Sequence, residues 1–149
     1  MFIHDDTLIH NDRDFRISMS FAAAKNKLRD CVCQITEENE GKSGFIKIKD
    51  IEFYGARGTC MMFFPKGELY QIEIMCEWHS YEMCDKAEKE TQMMEAIQKI
   101  ISRCENNMTE AFEHPISSKK YHKLKYVSGS LSIRTAEGRD DDSYDIWIR

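Results

Sequence analysis

Apolar and polar residues alternate along several short segments of the chain, which is typical of β-strands with one buried face. The clearest segment runs from Leu69 to Trp78, with Gln71 and Glu73 on its polar side. Its apolar side predicts four core residues, Tyr70, Ile72, Ile74 and Cys76. We therefore expect a half-buried strand here.

Other segments also predict strands. Phe15 to Met19 alternates, and Gly44 to Tyr54 alternates with a change of phase near Asp50 that indicates a β-bulge. Thr59 to Phe64 is apolar on both sides, as in a central strand, and the Pro65-Lys66-Gly67 turn follows it. Three strands are predicted near the C-terminus: His122 to Tyr126, Leu131 to Ile133, and Tyr144 to Ile148.

Two segments have the spacing of amphipathic helices. Ser20 is a suitable N-cap for the first helix, whose apolar side continues to Ile35, with Gly41 as a stop signal. The second helix is predicted from about Tyr81 to between Asn106 and Glu113, with Asp85 as an alternative start.

The resulting element order is β-α-β-β-β-α-β-β-β. Consecutive strands joined by short turns favour an antiparallel sheet, and two amphipathic helices can cover one face of it. We therefore predict an α+β fold, a mostly antiparallel sheet with both helices packed on one face as a two-layer sandwich. Residues 1–149 form one domain in this prediction, because no linker separates two cores.

Composition reduces the number of functional classes that fit the chain. The formal net charge is -5, so the electrostatic attraction that underlies nucleic-acid binding is weak, and a basic protein is the favoured partner. No apolar run approaches the ~18 residues that cross a bilayer, so we expect no membrane role. Residues 1–6 lack the basic and apolar regions of a signal peptide, so we expect a cytoplasmic protein with reduced thiols.

Cysteine and histidine provide the few candidates for chemistry. Cys76, His79 and Cys84 could contribute to a zinc site, and His79 could activate Cys84 as a nucleophile at a helix start. Neither spacing matches a known motif, and packing thiols are the competing interpretation. Cys31 and Cys33 would diverge on a helix and so would not share an ion. We predict no cofactor and no metal.

Two charged segments remain. Asp140, Asp141 and Asp142 lie beside Tyr144 in a predicted hairpin loop, and we predict that these four residues form a partner-binding surface. The range 119–125 combines lysines with Tyr121 and His122. Its lysines could contact a single-stranded nucleic acid, but protection of a sheet edge is the preferred interpretation.

The leading hypothesis is a non-enzymatic protein-binding module with an acidic surface, for example an inhibitor of the immunity-protein type. The first alternative is a small enzyme whose catalytic groups come from separate strands. The second is an assembly subunit that forms homo-oligomers through the sheet.

Overall fold

The computed structural model describes residues 1–77, 86–104, 110–116, 119–126, 129–137 and 142–149. These residues form an α+β fold with antiparallel sheets and two helices. The elements are β1 (Phe2–His4), β2 (Thr7–His10), β3 (Arg13–Phe15), α1 (Phe21–Lys27), β4 (Gln34–Glu38), β5 (Ser43–Phe53), β6 (Ala56–Phe64), β7 (Gln71–Glu77), α2 (Lys86–Arg103), β8 (Glu110–Ile116), β9 (Lys119–Tyr126), β10 (Gly129–Glu137) and β11 (Asp142–Ile148).

The strands form two sheets. β1, β2 and β3 make a small sheet in sequence order, and the other eight follow the order β4-β5-β6-β7-β11-β10-β9-β8. Every paired strand is antiparallel to its neighbour. The C-terminal strand β11 therefore lies at the centre of the large sheet, between β7 and β10.

The register of β5, β6 and β7 separates two faces of the large sheet. Ile46, Met62 and Ile72 lie opposite one another and are fully buried. We call the face on which they lie the covered face. Phe45 and Phe63 occupy the intervening positions and are only half-buried, and we call their side the open face. The alternation follows from the period of two in a strand.

The predicted bulge near Asp50 is confirmed. The register of β5 against β6 shifts between Ile48 and Ile51, and Asp50 has a positive φ of 52°. The extra residue lets Ile48 and Ile51 both lie in the core, although two residues between them would put them on opposite faces of a regular strand. A bulge thus explains the change of phase in the sequence.

The first helix is shorter than predicted. It ends at Lys27, and residues 34–38 form β4 instead of continuing the helix to Gly41. Ile35 pairs with Ile46, so backbone hydrogen bonds to β5 and the β-branched residues of this segment favour a strand. Val32, which lies within the segment predicted to continue the helix, is 97% exposed.

The second helix also ends earlier than expected. It ends at Arg103, and β8 begins at Glu110, within the range that the helix was predicted to reach. Pro115 lies inside β8, which is an edge strand and so does not need every N–H for pairing. The predicted starts at Tyr81 and Asp85 lie outside the described residues.

The N-terminal region differs most from the sequence prediction. Residues 2–15 form the small sheet, which was not predicted, and the strand expected at Phe15 to Met19 ends at Phe15. Ser18 has a φ of 71°, which breaks the extended backbone. Met19 continues instead as a connection whose carbonyl accepts a hydrogen bond from the Leu69 N–H at 2.7 Å.

The strand predicted at Leu69 to Trp78 forms as β7, and its buried residues include Ile72, Ile74 and Cys76. Tyr70 is an exception, because its side chain is 61% exposed. Regular pairing begins only at Gln71, so the backbone turns before Tyr70 can join the covered face. Trp78 lies outside the described residues.

One buried cluster joins the two sheets and the helices. It contains Ile3 and Leu8 from the small sheet, Phe21 from α1 and Ile97 from α2, together with the covered face. The Phe21 and Phe64 rings pack with centroids 4.9 Å apart. Among the described residues, no helix is long and apolar enough to cross a membrane.

Candidate functional site

A depression of about 390 Å³ lies on the open face, over the ends of β5, β6 and β7. Its walls come from three strand ends and the turn after β6, which hold the side chains in a rigid frame. The lining residues are Glu38, Gly44, Phe45, Phe63, Phe64, Pro65, Tyr70 and Gln71. Aromatic rings therefore supply most of the large side chains at this site.

Phe45 and Phe63 form the aromatic pair of the depression. They are directly opposite each other on β5 and β6, and their ring centroids lie 6.4 Å apart with the planes tilted by 37°. Tyr70 is fixed beside them because its backbone N–H donates to the Phe63 carbonyl at 2.9 Å. Two half-buried rings and one exposed ring thus face solvent together.

Glu38 is the only carboxylate among the lining residues. It belongs to the edge strand β4, and the alternation of that strand separates it from its neighbour Glu37. The Glu37 carboxylate lies 2.6 Å from Nζ of Lys25 on α1. The two adjacent glutamates therefore have different surroundings, and only Glu38 borders the depression.

Backbone contacts fix the rim of the depression. A Cβ added at Gly44, whose φ is +150°, would lie 2.0 Å from the Thr36 carbonyl oxygen, so only glycine permits β4 to approach here. On the opposite side, Nε of Arg149 donates to Oε1 of Gln71 at 2.9 Å. These contacts position Glu38 and Gln71 on either side of the aromatic pair.

The two described residues of the predicted acidic surface lie away from the depression. Asp142 and Tyr144 are in β11, where Asp142 pairs with Glu137 and Tyr144 pairs with Thr135 and Cys76. Asp140 and Asp141 lie outside the described residues. The depression is at the other end of β11, roughly 20 Å from Asp142 at about 3.3 Å per residue. The partner-binding role of these four residues stays a prediction.

Only one of the three residues of the candidate zinc and nucleophile sites is described. Cys76 is fully buried in the core, while His79 and Cys84 lie outside the described residues. Burial, reinforced by the neighbouring Cys76, raises the pKa of the Cys60 thiol, so Cys60 remains protonated at neutral pH. In the part of the chain that the structure describes, no group of three or more potential ligands could hold a metal.

Cys31 and Cys33 lie in a loop after α1, so the expectation that they sit on a helix is wrong. The Arg13 guanidinium donates to Sγ of Cys31 at 3.1 Å. Burial raises the pKa of the Cys33 thiol. Both thiols, like that of Cys60, are free.

The lysine-rich segment forms β9, and its predicted role in protecting a sheet edge is wrong. β9 has β8 on one side and β10 on the other, so β8 is the edge strand. Lys123 pairs with Phe112 and Ser132. The strand exposed at this edge of the large sheet is therefore β8 and not β9.

Comparison of the chain with protein-family models, curated proteins and solved structures found no match. The functional argument therefore depends on the geometry of this molecule.

Sequence reasoning missed the aromatic depression. Tyr70 was assigned to the core, and Phe45 and Phe63 were not singled out. One signal was present, because residues 59–64 are apolar on both sides of a strand. Such a pattern predicts either a second covering layer or an apolar surface that binds a partner.

Proposed function

We propose that this chain is a non-enzymatic protein-binding module that recognises its partner through the open face. The observation that carries the proposal is the depression lined by Phe45, Phe63 and the exposed Tyr70. Aromatic residues are enriched at the centres of protein interfaces, where they supply large contact areas at a low entropic cost. Their arrangement on rigid strands limits reorganisation on binding.

The chemistry of the lining residues also favours recognition. Rings, one amide and one carboxylate provide apolar contact and a few directional polar groups, which is the composition of a binding site. A stable protein interface covers about 800 Å² per partner. The depression would therefore form the centre of a larger contact on the open face.

The net charge of -5 supports a basic partner, as for an inhibitor of the immunity-protein type. The loop with Asp140, Asp141 and Asp142 is proposed to accelerate encounter from the other end of β11, with Tyr144 beside it. Replacing the three aspartates by asparagine should slow association and flatten its salt dependence, with little change in dissociation. An unchanged association rate at low salt would exclude this loop from the attracting surface.

We further propose that α1 and α2 cover the same face of the large sheet, as a two-layer arrangement in one domain. The Phe21 contact with Phe64 and the membership of Ile97 in the same buried cluster support this arrangement. It leaves the open face for the partner. A cytoplasmic location is proposed with it.

Photo-cross-linking in the source cells tests the binding function. A photoreactive phenylalanine analogue replaces Tyr70, and in a control chain it replaces Val32, which is 97% exposed in the loop after α1. We expect a protein that cross-links from position 70 and not from position 32. It should also bind the purified chain. Equal yields of the same products from both positions would contradict the proposal.

A further inference from the structure

We propose that the depression binds an organic cation, namely the lysine or arginine side chain of a basic protein partner. This inference rests on the proposed function and names the chemistry by which the open face recognises the partner. It is argued from the aromatic walls, from the single carboxylate and from an equivalent contact elsewhere in the molecule.

The aromatic walls have the geometry that attracts cations. The faces of aromatic rings are electron-rich, and a cation within about 6 Å of a ring centroid is stabilised electrostatically. The Phe45 and Phe63 centroids are only 6.4 Å apart, so a cation seated above the pair, on its solvent side, can lie within about 6 Å of both rings, and Tyr70 lies beside them. A volume of about 390 Å³ accommodates an ammonium or guanidinium group with its methylene chain.

The carboxylate of Glu38 favours a cation on the β4 side of the depression, across the aromatic pair from the Arg149 guanidinium. Glu38 provides a carboxylate at the wall, and the lining residues of the described structure include no lysine or arginine. Arg149 is held at the rim by its hydrogen bond to Gln71. A cation that enters beside the rings can therefore form a charge-assisted hydrogen bond with Glu38.

The same chemistry already holds a lysine in this molecule. Nζ of Lys25 lies 4.8 Å from the centroid of the Phe21 ring and 2.6 Å from the Glu37 carboxylate. A ring and a glutamate of β4 thus bind a cation on the covered side of this strand. Glu38 and the aromatic walls offer the same two groups on the open side, where a partner must supply the cation.

Two probes test the site: an octalysine peptide and tetramethylammonium chloride, titrated into isotopically labelled full-length protein and followed by NMR. We expect both probes to shift the signals of Phe45, Phe63 and Tyr70. Glu38→Gln should weaken octalysine binding about fivefold or more at low salt, since it removes a charged hydrogen-bond acceptor. Tyr70→Leu, which keeps apolar area but removes a ring, should weaken it about two- to fivefold.

Glu37→Gln is the control for net charge: it makes the same change in charge one residue away and outside the depression, and it also removes the partner of Lys25. It should alter octalysine affinity less than about twofold. Equal losses for Glu37→Gln and Glu38→Gln would overturn the inference, because binding would then reflect overall charge alone. Absence of shifts at the three aromatic residues would overturn it as well.

This result is separable from the test of the proposed function. The probes contain no partner, so their failure would reject the cation site and leave any cross-link from position 70 intact. Circular dichroism on each variant establishes that a loss of binding does not arise from unfolding.

Discussion

The covered and open faces of β5, β6 and β7 share one backbone and differ only in which alternate residues they carry. Ile46 and Met62 on the covered face are fully buried, and Phe45 and Phe63 on the open face are half-buried. Both faces carry large apolar side chains, but the open face also carries Lys47, Gln71 and Glu73, and only the covered face belongs to the core. The difference indicates that apolar residues on the covered face stabilise the fold, whereas those on the open face are the ones that we propose for recognition.

Adjacent methionines on β6 give the largest expected contrast. Met62→Ala removes a fully buried side chain, and it should lower the free energy of unfolding by about 2–5 kcal/mol. Met61→Ala, on the open face, should cost less than about 1 kcal/mol. Urea denaturation measures both. Equal losses would show that the open face is packed like a core.

A second pair lies on the same strand. A Cβ added at Gly58 would lie 2.2 Å from the Met75 carbonyl oxygen, so Gly58→Ala must displace the backbone of β7 from β6. We expect a cost of about 1–3 kcal/mol. Thr59→Ala, one residue along on the open face, should cost about 0.5 kcal/mol or less. Thermal unfolding of the two variants would contradict the comparison if their order were reversed.

The small sheet provides a pH-dependent test. Burial, with smaller contributions from the N-terminal charge and Arg13, lowers the pKa of His10 below its ordinary value of 6.5. The unfolded chain therefore takes up this proton more readily, and stability should decrease as the pH falls through 6.5. His10→Gln should flatten the decrease in melting temperature between pH 7.5 and 5.5. An unchanged slope would remove His10 from the explanation.

The smallest effect is expected at an ion pair on the surface. Nζ of Lys27 lies 2.5 Å from Oδ1 of Asp14. The hydrogen bond that Lys27 donates to this carboxylate lowers the pKa of Asp14. The stabilisation is present above the ordinary pKa of 3.8 and is lost as the pH falls through the lowered value. Because the pair is largely exposed, Asp14→Asn at pH 7 should cost only about 0.2–1 kcal/mol. A double-mutant cycle with Lys27→Gln isolates the pair.

The local pattern of apolar and polar residues was sufficient to predict strands whose conformation follows from their own sequence. The alternation of β7 and the change of phase at Asp50 both predicted what the structure shows. It was insufficient where strand pairing competes with helix propensity. Ile35 fits the apolar side of a helix, yet it joins β4 because Ile46, on the next strand of the same hairpin, offers it a pairing partner.

The candidate site was harder to predict than the fold. Phe45 and Phe63 become neighbours only through the β5–β6 register, and Tyr70 joins them because the backbone turns before β7. The sequence placed Glu38 only near the end of the first predicted helix and gave no sign of a site there. Convergence of this kind depends on three-dimensional pairing, which a single sequence does not contain.

The central claim is tested most directly by calorimetry, which measures how tightly two serine variants bind a purified partner that cross-linking from position 70 has identified. Phe45→Ser removes a ring from the depression, and Ile35→Ser removes an apolar side chain, 38% exposed, at the covered-face register of the edge strand. The account predicts a loss of affinity of at least about tenfold for Phe45→Ser, as for an interface hot spot, and almost none for Ile35→Ser. Equal affinities of the two variants for the partner would contradict it.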